Sequence, residues 1–406
     1  MATAPTWSNW VGNQSFTPRA IVPIADEQQV QAEVKRAVAG SYGISTFGAG
    51  HSFTPIVETD GVLLDTSQLR GIVEIDSGRR QVTAGPSTTI ADFGEPLWEA
   101  GLALANQGDI DAQAIAGAIA TATHGSGLRH PCMSAMLSGA RLVDGHGEVQ
   151  EIQAGDDPTL LPALQTSIGL LGVMTEVTIE VVPAYELHAR TDIMPLDEVL
   201  ERFWDDVSRY RHFGLFWMPT DASARLYNLK EAGAGDCVVK RYMQYEPGSF
   251  DGSLAVNERY GPAYQIYPMV YDPNFHEVEY FLPVEESIEI LRAMRQLMLR
   301  WLPLSVYPLE IRVVAGDEAW MSPNYQRDNL VVSISGEPGV DYWPYLRACD
   351  SLFAEYRGRP HWGKIHFMTA DRLERLFPRY TDFVDVRRQF DPQRIFLNRH
   401  TRPLFE

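Results

Sequence analysis

Three cysteines, Cys132, Cys237 and Cys349, are all that this chain of 406 residues contains. So few, odd in number and far apart, they offer no disulfide framework and fit a reducing compartment. Long apolar runs are also missing: none reaches the ~18–20 residues that a membrane helix requires. Basic residues are outnumbered, 34 against 53 acidic, and a net charge of −19 argues against nucleic acid, whose phosphates would be repelled. Met1-Ala2-Thr3-Ala4-Pro5 lacks the basic-then-apolar order of a signal peptide. The expectation is a cytoplasmic protein, a monomer or small homo-oligomer, with no membrane partner. Repeats and low-complexity tracts are absent, and so are a P-loop, a G-x-S-x-G elbow and a G-x-G-x-x-G joining strand to helix. No His, Cys and acidic residues cluster with His51 at metal-ligand spacing, so no metal is expected.

What is present suffices for packed cores, with 45% hydrophobic residues and 11% aromatics. The length exceeds what one core supports, so two domains are expected. Ala20 to Ile24 reads as a strand, and Asp26-Glu27 then opens a helix carrying Val30, Val34 and Val38 at helical spacing. Strands follow at Tyr42 to Phe47 and Val62 to Asp65. Hairpins turn at Asp76-Ser77-Gly78-Arg79 and at Asp144-Gly145-His146-Gly147, with a helix from Thr88 to Glu99 between them. A short helix from Pro158 to Thr166 precedes an alternating strand, Glu176 to Val182. Beyond Pro183-Ala184-Tyr185 the texture changes. Helices around 195–209, 284–300 and 342–356 alternate with strands such as Val306 to Val314 and Leu330 to Ser335, an α+β layer. Two helices, Ala370 to Phe377 and Tyr380 to Phe390, close the chain.

Two glycine-rich stretches carry the first chemical signal. In Gly48-Ala49-Gly50-His51-Ser52 two glycines let backbone N–H groups approach an anion without a Cβ in the way, and His51 is held beside whatever the turn grips. A plain glycine turn with a solvent-facing histidine is the alternative. The second stretch, Ala116 to Gly127, is built of small residues apart from Ile119, and reads as another diphosphate cradle or as a tightly packed turn. Within it, His124 reads as a buried hydrogen-bonding residue rather than a catalyst. In Leu309-Glu310-Ile311-Arg312-Val313, strand alternation puts Glu310 and Arg312 on one face, as a functional pair or as a structural ion pair. Lys364, in His361-Trp362-Gly363-Lys364, is either a perturbed lysine beside aromatic surface or a snorkelling surface side chain.

Taken together these stretches resemble the vanillyl-alcohol-oxidase class of flavoproteins, in its alditol oxidase and aldonolactone oxidase branch and nearest to the alditol oxidases. The resemblance covers nearly the whole chain. It runs through Asn9-Trp10-Val11-Gly12-Asn13, the His51 turn, His124-Gly125-Ser126-Gly127, Leu171-Gly172-Val173, Glu310-Ile311-Arg312, Trp320-Met321-Ser322-Pro323 and Arg359 to Lys364. It implies an α+β, two-domain flavoprotein. Residues 1–185, completed by 365–406, would form an FAD-binding domain of two α/β subdomains, and 186–364 an α+β substrate-binding cap. It also implies FAD joined covalently to His51. Gly48, Ala49, Gly50, Ser52, Gly117, Ala120, Thr121, His124, Gly125, Gly127, Gly172, Val173 and Asn398 would be cofactor-binding. No second, cysteinyl link is implied, since Cys132 follows the His124 turn.

The same resemblance places Glu310, Arg312 and Lys364 at the reactive face. A hydride would pass from a carbinol carbon of an alditol, sugar or related carbohydrate to the flavin, and dioxygen would be reduced to hydrogen peroxide. Gly108 matches a gate between flavin and oxygen, so an oxidase is expected, with an aldonolactone oxidase or dehydrogenase as the alternative. Two residues depart from the alditol oxidase pattern: Asp109 stands for a serine and Ser333 for a histidine. A carboxylate could accept from two hydroxyls or pair with an ammonium, which brings in an amine-bearing alcohol as a further substrate. A flavin-free carbohydrate-binding protein is the competing class.

Overall fold

Asp26 starts the first long helix by accepting the Gln29 N–H at 2.8 Å, and Ser41, at φ 52°, ends it. Between these caps Val30, Val34 and Ala37 share one buried face of Glu27–Gly40. That face packs on Ile24, Ile44, Val62 and Leu64, the apolar side of a three-stranded parallel sheet in which Val62–Asp65 lies between Ala20–Pro23 and Ile44–Phe47. This computed structural model describes residues 5–406; Met1–Ala4, where most of the signal-peptide reading falls, lie outside them. Among the described residues no helix is long and apolar enough to cross a membrane.

A second sheet, of five strands, orders Val149–Gln153, Leu137–Val143, Val173–Glu180, Gln81–Ala84 and Ile72–Asp76, all antiparallel. Both expected hairpins are found in it. The helix beside it, Ile90–Glu99, begins with a capping box between Thr89 and Asp92. The small-residue run from Ala116 to Gly127, read as a cradle or a packed turn, begins within a short helix, Ile115–Ala120. Alanine and isoleucine satisfy helix propensity there despite Gly117. At the N-terminus, Trp7–Ser8 and Ser15–Phe16 form a small hairpin.

Most of the remaining strands form one antiparallel sheet of eight. Its order is Glu258–Pro262, Glu186–Pro195, Asp236–Tyr245, His212–Trp217, Leu309–Val314, Asn329–Gly336, His276–Pro283 and Arg359–Pro360. Strand alternation divides its residues between two faces. Leu309, Ile311 and Val313 join the main hydrophobic core, to which Phe203, Leu291, Met294, Leu346 and Phe353 of the helices Leu196–Arg209, Ser287–Arg300 and Trp343–Glu355 also belong. The intervening Glu310 and Arg312 face the other way. Register then lines up Glu310, Ser333 and Glu279 across three neighbouring strands, and Glu277 opposite Ser335. One face of this sheet is therefore a charged floor.

Candidate active site

The turn Gly48–Ser52 leaves the parallel strand Ile44–Phe47 and forms one wall of a crevice with about 1430 Å³ of space, its open side included. Gly48, Ala49, Gly50, His51 and Ser52 line it, with Gly117 and Ala120 of the short helix, Thr121 just after it, and Gly172 and Val173 at the start of a strand. Two of these positions tolerate only glycine. A Cβ on Gly48 would come within 2.6 Å of the Ala114 side chain, and one on Gly172, at φ +148°, within 2.5 Å of the Val143 carbonyl.

His51 Nδ1 is buried without a hydrogen-bond partner. Burial lowers the imidazole to about 4, with the charge of Lys364 adding to the effect, so the ring is neutral with a free lone pair. An orphaned nitrogen of this kind in a wall of small residues fits a flavin dinucleotide, which would satisfy it.

Three other sequence-named residues lie elsewhere. Gly125 is a packing glycine: a Cβ would meet Asn106 Oδ1 at 2.2 Å and the Gln107 carbonyl at 2.4 Å. Gly127, at φ +113°, donates its N–H to the Val313 carbonyl at 2.6 Å, docking its loop on the eight-stranded sheet. Asn398 reaches the crevice indirectly, its amide donating to the carbonyls of Pro55 and Ile56, each at 3.0 Å. The second glycine-rich run is thus a crevice wall in its first half and a packing joint in its second.

A second pocket continues from the crevice and shares Ile110, Gln113, His361 and Lys364 with it. Here the structure brings Gly108, Asp109, His124, Glu310, Arg312 and Lys364 together. Arg312 Nη2 donates to Asp109 Oδ2 at 2.8 Å and to Glu310. Tyr271 donates to the same Asp109 oxygen at 3.2 Å, and the Met269 N–H to the Asp109 carbonyl at 2.9 Å. Burial pushes Glu310 up to about 7; Arg312 opposes this and Asp109 adds to it. Lys364 pairs with Glu277. Burial disfavours its charge, but Glu277 and Glu279 outweigh burial and hold the ammonium above its usual range.

His124 has Nδ1 2.8 Å from the Gly125 carbonyl and Nε2 3.1 Å from Glu279 Oε1. The other Glu279 oxygen accepts from Ser333. Tyr227, Tyr271 and Phe275 line the same pocket, their ring centroids 5.1–6.1 Å apart. His124, Glu279 and His361 are also near enough to one another to suggest a metal site. The Gly363 N–H already occupies His361 Nδ1 at 3.0 Å, and Lys364 and Arg312 oppose a further cation.

Glu277, Glu279 and the aromatic wall escaped the sequence reading. The strand His276–Pro283 repeats the signature that exposed Glu310 and Arg312, charged residues at alternate positions of an otherwise apolar strand. Nothing local marked Tyr227 or Tyr271.

A parallel sheet with a glycine-lined crevice, joined to an antiparallel sheet with a charged floor, defines the class: an FAD-dependent oxidoreductase of vanillyl-alcohol-oxidase fold. The FAD binding domain family model matches residues 18–153, and the D-arabinono-1,4-lactone oxidase model matches 177–236 and 236–404. The chain belongs to the D-arabinono-1,4-lactone oxidase family. It is 32% identical to L-gulono-1,4-lactone dehydrogenase of Mycobacterium tuberculosis, over 98% of this chain and 99% of that one. Identity is 25% to mouse L-gulonolactone oxidase, covering 98% of each chain. It is 27% to a Streptomyces alditol oxidase, covering all of both. Cholesterol oxidase from Brevibacterium sterolicum shares the fold, with a TM-score of 0.84 at 15% identity over 99% of this chain and 96% of that one. FAD is therefore the cofactor, and the flavin-free alternative is set aside.

Proposed function

We propose that the protein oxidises a hydroxyl-bearing carbon of an aldonolactone or related sugar-derived polyol, with dioxygen reduced to hydrogen peroxide. FAD supplies the hydride-accepting centre. The observation that carries the reading is the half-buried Asp109–Arg312–Glu310 cluster with Lys364–Glu277, in a pocket continuous with the crevice that holds His51. Glu310 is the acceptor for the substrate hydroxyl proton, since a carboxyl near 7 is poised for proton transfer at neutral pH. Arg312 and Lys364 donate to substrate oxygens and stabilise negative charge that develops there. The free, neutral imidazole of His51 supports a covalent bond to the flavin.

A lactone is favoured over an open-chain alditol on two grounds. The D-arabinono-1,4-lactone oxidase model covers the second half of the chain. Tyr227, Tyr271 and Phe275 give a ring an aromatic wall in the pocket that also holds the charges. An amine-bearing substrate loses its motive, because Arg312 already pairs with the Asp109 carboxylate. Gly108, without a side chain, supports oxidase over dehydrogenase chemistry. The domain division proposed with this reading puts the cofactor in 1–185 plus 365–406 and the reactive floor in 186–364, with Lys364 at the seam. The test is a panel of aldonolactones and alditols, scored for peroxide and for reduction of an artificial electron acceptor. Turnover of alditols alone would reject the lactone reading, and dye reduction without peroxide would reject the oxidase.

A further inference from the structure

The segment before the first parallel strand concentrates its polar contacts on the His51 turn. Asn9 Nδ2 donates to the Ser52 carbonyl at 3.0 Å, while Asn13 Nδ2 and Gln14 Nε2 both donate to the Phe53 carbonyl, each at 2.9 Å. The Trp10 N–H donates to the Gly50 carbonyl at 3.1 Å. The segment is itself closed by the Gln14 N–H on Asn9 Oδ1 at 3.0 Å. Backbone on both sides of residue 51 is thereby pinned. The Trp10 ring stands against the His51 imidazole, with centroids 5.1 Å apart and planes 33° from parallel. Phe275 meets the same indole edge-on at 6.0 Å.

Two buried nitrogens in this arrangement have no partner, Trp10 Nε1 and His51 Nδ1, and both residues line the crevice. A buried polar atom without a partner is costly, and here two of them belong to neighbouring residues of one crevice wall.

We infer that Trp10 is a positioning residue for covalent attachment of the flavin to His51, held by the clamp of Asn9, Asn13 and Gln14. The inference rests on the covalent reading above. In the attachment an imidazole N–H and a C–H of the flavin's 8α-methyl group break, and a carbon–nitrogen bond forms. Both hydrogens leave as protons, and two electrons pass through the flavin to dioxygen, giving hydrogen peroxide. The ring nitrogen must be unprotonated and correctly aimed. An indole packed on one face restricts imidazole rotation and excludes water, a gain in orientation that acts on the rate of bond formation.

The test compares wild type, His51→Ala, Trp10→Ala and Trp10→Phe as purified full-length proteins. Flavin fluorescence that stays with the denatured polypeptide is measured against total flavin, with visible spectra and thermal melting as checks on binding and folding. We expect linked flavin in wild type, none in His51→Ala, a value near wild type in Trp10→Phe, and at least a tenfold lower ratio of linked to unlinked flavin in Trp10→Ala. Wild-type linkage in Trp10→Ala overturns the inference and leaves the covalent reading standing. Wild-type protein without linked flavin overturns both. Should Trp10→Ala fail to fold or bind flavin, the Asn9→Ala/Asn13→Ala double variant decides: a reduced linked fraction supports the clamp, and an unchanged one overturns it.

Discussion

Replacing Asp109 with asparagine should move the pH profile of the reaction, and the direction follows from the geometry. Asp109 and Glu310 both accept from the same nitrogen, Arg312 Nη2. Two oxygens on one nitrogen lie within roughly 5 Å of each other. At an effective dielectric of about 20, like charges at that separation repel by about 3 kcal/mol, near two pK units. Arg312 and local reorganisation screen part of this, so we expect a shift of about one unit.

The sign is fixed by the causes of the Glu310 shift. Asp109 adds to a rise caused mainly by burial, so removing its charge lets Glu310 ionise at lower pH. If Glu310 takes the hydroxyl proton, wild type loses activity as pH falls through about 7, and Asp109→Asn keeps it down to about 6. The assay is anaerobic flavin bleaching by substrate, followed from pH 5 to 9, which isolates the reductive step from reaction with oxygen. An acid limb that stays put, or moves up, refutes the assignment of Glu310 as the proton acceptor. Stability should fall only modestly, by about 1–3 kcal/mol, because Arg312 keeps Glu310 and its charge is not left unpaired.

Further outcomes follow from the same site and fold. Glu310→Gln should lower kcat by about 10²–10⁴ and erase the acid limb near neutrality, with FAD content unchanged in the visible spectrum. Gly108→Ala places a Cβ 2.9 Å from the Thr123 methyl and 3.3 Å from Gln113 Oε1; we expect slower flavin reoxidation by dioxygen than by an artificial acceptor, read by stopped flow. Leu64→Ala empties a fully buried position of the parallel sheet and should cost about 2–5 kcal/mol in urea unfolding.

Periodicity made the elements that obey a simple rule legible. Valines at helical spacing after Asp26, two hairpin turns and the alternation around Glu310 and Arg312 each carry a local signal, and each is found where expected. The run from Ala116 to Gly127 was harder, because small residues serve equally in a helix, a ligand wall and a packing joint. Here they form a helix, line the crevice and make a packing joint. Glu277 and Glu279 were legible in principle, since His276–Pro283 alternates like Leu309–Val314.

The chain by itself determined the class of chemistry. A histidine following two glycines, a charged pair on an apolar strand and a long ordered resemblance were enough to name a flavin and to propose a reactive face. Only tertiary structure decided which charges meet. Asp109 finds Arg312 203 residues away, His124 finds Glu279 across 155, and Trp10 packs against His51 through a hairpin that leaves no trace in periodicity. Sequence patterns record which way a side chain faces within its own element. The partner it faces depends on how separate sheets dock, and that is set by the packing of the whole chain.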